Sequence, residues 1–228
     1  MLGRASLAAL LAGAAAFLAV GCQQPQPIII EKLPMDPLLS HRPIPTPKAA
    51  HAGHHSPTRT TVPAEWIPKG PPRPWRWIVI HHSATEYGSA ELFDRWHRAR
   101  GWDELGYHFV ITNGRGGPDG AVQVGSRWAK QKWGAHCKVP GNAYNDYGIG
   151  ICLVGNFTDK LPTPAQRRSL RKLLTFLMDR YAIGPENVIG HCDAPSTCTE
   201  CPGRRLHAYL DQVLRPELAR HYRLARKR

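Results

Sequence analysis

Residues 149–154 read Ile149-Gly150-Ile151-Cys152-Leu153-Val154, a run without one charged or strongly polar side chain. A strand with one face in water alternates apolar and polar residues. A short run that is apolar throughout instead reads as a strand covered on both faces. The chain must therefore build a sheet with other elements packed on each side. A second such run, Trp77-Ile78-Val79-Ile80, ends in His81-His82-Ser83-Ala84-Thr85. An apolar β-branched run that ends in histidine presents an imidazole at the mouth of a sheet.

Helical patterns alternate with these strands. Ser89 to Arg100 has Ser89 as a candidate N-cap, Leu92, Phe93 and Trp96 on one face, and Gly101 as a stop. Tyr107 to Thr112 reads as a strand, followed by a Gly-rich turn, and Ala121 to Val124 as a short hairpin partner. Residues 128–147, rich in Gly, Asn, Trp and Lys, read as a long loop. Thr163-Pro164-Ala165-Gln166 opens the clearest helix, with Thr163 as N-cap, Pro164 at the first helical position and Gln166 closing a capping box. Leu170, Leu173, Leu174, Leu177, Met178 and Tyr181 then form a core-facing stripe. This helix is expected to stop near Gly184-Pro185. Val188-Ile189-Gly190 reads as a strand delivering His191, and the chain from Leu206 onward as helix, interrupted or kinked at Pro216. Alternating elements predict an α/β fold with a central mixed β-sheet flanked by helices, in a single domain.

The first 72 residues have a different character. Arg4 precedes an Ala/Leu/Phe run from Ala5 to Val20, somewhat short for a membrane span and suited to the apolar region of an export signal. It ends in Leu18-Ala19-Val20-Gly21-Cys22, which resembles a bacterial lipobox, with Cys22 as the lipidation site. Twelve prolines crowd residues 23–72, so this stretch reads as an extended, largely disordered tether. Packing onto the domain is expected to begin around Ala64-Glu65-Trp66-Ile67-Pro68. The expected layout is a lipoprotein-type signal at 1–22, a tether at 23–72, a folded domain at 73–222 and a basic tail at 223–228. The protein is expected as a monomer in the periplasm or on a cell-envelope membrane, with the outer membrane as one option.

A net charge of +13 favours polyanionic partners. No basic run interleaves with aromatics, so nucleic acid is not the expected partner. The chemistry converges instead on His81, His191 and Cys201, the last two ten positions apart. Two histidines and one cysteine read as a zinc site whose fourth position stays open to water, the arrangement of a catalytic rather than a structural zinc.

Several motifs then stand in order: Val79-Ile80-His81-His82-Ser83-Ala84-Thr85; Gly101-Trp102-Asp103-Glu104-Leu105-Gly106-Tyr107-His108-Phe109; Gly134-Ala135-His136; Tyr144-Asn145 with Gly148 to Phe157; Gly190-His191; and Thr199-Glu200-Cys201-Pro202-Gly203. In this order, from about Trp75 to Leu206, the chain resembles the zinc N-acetylmuramoyl-L-alanine amidases, a group that includes phage amidase lysozymes and animal peptidoglycan recognition proteins. The resemblance implies that fold, one Zn2+ per domain, and cleavage of the bond between N-acetylmuramic acid and L-alanine in peptidoglycan or muropeptides. A non-catalytic recognition module on the same fold is the alternative. The resemblance makes His81, not His82, the first ligand, with His191 and Cys201 completing the set; Cys198 is a rival to Cys201 in a shifted register. It gives Tyr107 and Thr199 the catalytic supporting roles, and His136 and Asn145 contacts to the muropeptide. Cytosolic relatives carry glutamate where this chain has Cys152. The pairing of Cys137, Cys152, Cys192 and Cys198 is open; a Cys192–Cys198 bridge would close a short loop beside the site.

Overall fold

A computed structural model describes residues 62–227. The expected export signal, Cys22 and most of the expected tether lie outside the described residues. The elements are β1 (Trp77–His82), α1 (Ala90–Ala99), β2 (Phe109–Ile111), β3 (Val122–Val124), α2 (Ser126–Ala129), α3 (Ala143–Asp146), β4 (Gly148–Leu153), α4 (Pro164–Tyr181), β5 (Val188–Gly190), α5 (Arg204–Tyr209) and α6 (Arg215–Ala225). The five strands form one sheet in the order β3-β2-β4-β1-β5. β1 runs parallel to β4 and β5, β2 runs parallel to β4, and β3 is an antiparallel edge. The two runs that are apolar throughout are therefore both interior strands, each paired on both edges.

One face of the sheet carries most of the core. Ile78, Ile80, Ile149, Ile151 and Leu153 pack there with Leu170, Leu173, Leu174, Leu177 and Met178 of α4. Burying a side chain of this size contributes roughly 1.5–3 kcal/mol, so the α4 stripe is a main anchor of the domain. The capping box forms as expected: Thr163 Oγ1 accepts from Gln166 N at 3.0 Å, and Gln166 Oε1 accepts from Thr163 N at 3.1 Å. The Gln166 amide, fully buried, also donates to the carbonyls of Ile111 and Val154, joining the helix start to β2 and the end of β4. The opposite face is covered in two parts. Phe93 of α1 packs on Val110, Cys152 and Val154, and the segment around Cys137 and Val139 packs on Val79. His81 lies at the seam between these parts.

Three local expectations shift. Residues 128–147, read as loop, contain part of α2 and all of α3, single turns too short to show a helical period. α4 ends before Gly184: Ala182 takes the left-handed conformation at φ 54° and donates its N–H to Met178 O. The interruption near Pro216 is a π turn, Leu210–Leu214, just ahead of the proline; the backbone stays helical through it, and Arg215 N donates to Leu210 O. The chain joins the core at Trp66, whose carbonyl accepts from the Trp128 indole at 2.9 Å. Among the described residues, no helix is long and apolar enough to cross a membrane.

Candidate metal centre

Parallel pairing assembles the site. Ile80 of β1 is in register with Gly190 of β5, so His81 and His191, the next residue on each chain, emerge side by side at the same end of the sheet. Their rings lie 4.6 Å apart. Cys201 is brought back by the loop after His191: Cys192 N donates to Cys201 O at 2.8 Å, and His82 N donates to Cys201 Sγ at 3.4 Å. The donor atoms of His81, His191 and Cys201 all lie within 4.8 Å of one another. His82 faces away, its ring beside Phe157, as strand alternation requires. Cys201, not Cys198, is the cysteine that joins the two histidines.

The geometry suits a tetrahedral metal. A sulfur about 2.3 Å and a nitrogen about 2.0–2.1 Å from one zinc, at a tetrahedral angle, stand about 3.6 Å apart. Cys201 Sγ and His81 Nδ1 are separated by 3.6 Å. Burial holds the His81 imidazole well below its usual pKa, and the neighbouring rings of His136 and His191 push the same way. Burial lowers His191 too. Both rings are thus neutral, as metal ligands must be. Burial pushes the Cys201 thiol up to about 12, against the smaller pull of the His82 N–H. A divalent cation reverses that balance and deprotonates a coordinating thiol.

Tyr107 stands beside this group, its ring 5.2 Å from that of His81. Burial, followed by the Cys152 and Cys201 sulfurs, raises its pKa well above the usual 10. Tyr107 is therefore a neutral phenol with a proton to give. Thr199 lies in the Cys201 loop, and its hydroxyl accepts from Cys201 N at 3.1 Å.

His136 and Asn145, expected to contact the muropeptide, are 8% and 6% exposed. Asn145 Oδ1 accepts from the backbone N–H groups of both His136 and Cys137 at 2.8 Å. Its amide pins the loop that carries His136. The His136 ring is hydrogen-bonded to His81 at 3.1 Å. Cys192 carries a free thiol, so the Cys192–Cys198 bridge is not formed.

A second constellation was not legible in the sequence. Cys192, Asp193 and His207 bring donor atoms within 4.8 Å of one another, behind the turn that carries His191. Asp193 accepts from Gly190 N at 2.9 Å and from His207 Nε2 at 2.7 Å. The hydrogen bond to Asp193, helped by Cys192, raises His207 to about 10. An imidazolium from α5 thus braces the His191 turn. The one local signal was an aspartate three residues after Gly190, the spacing of a side chain folded back onto a turn.

The model of one protein family, described as N-acetylmuramoyl-L-alanine amidase, matches residues 71–204, more than half of the chain. The chain is 38% identical over 130 residues to the endolysin of Escherichia phage T7, covering 53% of this chain and 78% of the endolysin. It is 31% identical over 150 residues to peptidoglycan recognition protein 1 of Bos indicus, covering 61% of this chain and 73% of that protein. Among solved structures, the N-acetylmuramoyl-L-alanine amidase LysC of Clostridium intestinale superposes with a TM-score of 0.50 at 33% identity, over 59% of this chain and 80% of that one. With the sheet order, the converging His, His and Cys side chains and these matches together, the chain belongs to the N-acetylmuramoyl-L-alanine amidase family.

Proposed function

We propose that this protein is an exported zinc hydrolase that cleaves the amide between N-acetylmuramic acid and the L-alanine of peptidoglycan stem peptides. The observation that carries this reading is the His81, His191 and Cys201 donor set, with sulfur and nitrogen at tetrahedral spacing. The family match and the amidase names among its relatives support the reaction class. A zinc ion held by these residues supplies a water acidic enough to ionise near neutral pH and an electrophile for the scissile carbonyl. The protein's own residues do the rest. Tyr107, kept protonated by burial, donates its hydroxyl to the carbonyl oxygen as negative charge builds there. Thr199 holds the Cys201 backbone and so keeps the sulfur aimed at the two imidazoles. A net charge of +13 attracts the chain to an acidic wall polymer. Export through residues 1–22, lipidation at Cys22 and tethering by the Pro-rich segment belong to the same proposal.

Purified protein is to be incubated with defined muropeptides, with zinc or with chelator, and the products read by mass spectrometry. Zinc-dependent release of a stem peptide with a free L-alanine amino terminus supports the proposal. Tight muropeptide binding without cleavage, with zinc bound, would replace it with a recognition module, the role printed in the name of the Bos indicus relative.

A further inference from the structure

The His136 ring is buried, and both its nitrogens are engaged inside the protein. Nε2 lies 3.2 Å from the carbonyl oxygen of Gly148. A carbonyl only accepts, so Nε2 carries the hydrogen, and in a neutral ring Nδ1 is then an acceptor. Nδ1 lies 3.1 Å from His81 Nε2. His81 must therefore be protonated on Nε2, which leaves its Nδ1 lone pair free. That Nδ1 is the atom 3.6 Å from Cys201 Sγ.

The ring is seated as tightly as it is bonded. A Cβ on Gly150 would come within 2.3 Å of His136 Cδ2, and one on Gly134 within 2.4 Å of the same atom. With overlaps that close, a side chain at either position would have to displace the ring. His136 thus lies in a slot between two glycines, and the Asn145 amide holds its backbone.

We infer that His136 is a positioning residue for the metal. It reads the Gly148 carbonyl, passes that polarity to His81, and so fixes the His81 tautomer and ring plane with Nδ1 facing the other ligands. A ligating histidine whose second nitrogen is held by an acceptor is both oriented and made more basic, and removing such a support typically weakens metal binding by about 10–100-fold. This inference rests on the zinc reading proposed above. It also gives Gly134, Asn145 and Gly150 one common purpose, the placing of a single ring.

The test measures zinc affinity of the full-length protein by competition with a chromophoric chelator, at one fixed neutral pH. His136→Leu should bind zinc about 10–100-fold more weakly than the unaltered chain. His136→Gln can still donate to Gly148 O and accept from His81, and should recover most of the loss. Gly150→Ala, which drives a methyl into the ring, should weaken zinc binding as His136→Leu does. Nitrogen-15 NMR of the zinc-free, unaltered protein is independent of any folding defect in the variants and should show His81 protonated at Nε2. No zinc binding by the unaltered protein would defeat the zinc reading itself. Zinc bound equally tightly by the unaltered protein and His136→Leu, or a His81 protonated at Nδ1, would overturn the relay alone.

Discussion

Acidification should destabilise this domain, in large part through two histidines that lie outside the metal set. His97 and His108 are 8% and 0% exposed, and burial lowers each to about 4. Hydrogen bonding points the same way: His97 Nδ1 accepts from Gly106 N and His108 Nδ1 accepts from Gly150 N, both at 2.9 Å. A second proton on either ring would meet a backbone N–H head on. In the unfolded chain both rings titrate near 6.5. Between pH 6.5 and 4 the unfolded state therefore binds more protons, and stability falls as pH falls. With pKa values of 6.5 unfolded and about 4 folded, each histidine removes about 2 kcal/mol between pH 7 and pH 5, and the pair about 4 kcal/mol. That is a large part of the 5–15 kcal/mol typical of a domain. Urea unfolding at pH 7 and pH 5, in chelator so that metal release does not contribute, measures the change. His97→Asn keeps an acceptor near the Nδ1 position and removes the titration, so its stability should fall by about 2 kcal/mol less over the same interval. A wild-type change below about 1 kcal/mol, or an equal pH slope in His97→Asn, would refute the reasoning.

Other substitutions address the site and the core separately. Tyr107→Phe should lower kcat by roughly 10²–10³-fold, the cost of losing one preorganised donor, while zinc content by atomic absorption stays unchanged. Leu173→Ala removes a fully buried side chain from the α4 stripe and should cost about 2–5 kcal/mol in urea unfolding, with the zinc affinity of the folded fraction retained. His207 has a folded pKa raised to about 10, so its pairing with Asp193 stabilises fully below pH 6.5 and is lost as pH rises through about 10. His207→Gln should therefore lower the melting temperature at pH 6 and converge on wild type above pH 10. Cys201→Ser replaces a soft thiolate ligand by a weak hydroxyl and should abolish stoichiometric zinc retention on dialysis, leaving the far-ultraviolet circular dichroism unchanged.

Much of this molecule is written in local order. The runs Trp77–Ile80 and Ile149–Val154 are apolar throughout because both strands lie inside the sheet. The Thr163–Gln166 box and the leucine stripe specify where α4 begins and which side it buries. His81, His191 and Cys201 were readable as a candidate ligand set from their types, and the family resemblance chose them over His82 and Cys198. Tertiary structure decided what composition cannot encode. Register between β1 and β5, set by pairing across more than a hundred residues, puts His191 beside His81. The slot between Gly134 and Gly150 seats the His136 imidazole against His81, a contact that the residue's type does not announce. The brace from His207 to the His191 turn joins two elements whose sequences do not announce each other. A side chain's type limits the bonds it can make; which bond it makes depends on the groups that the folded chain brings within about 3 Å of it.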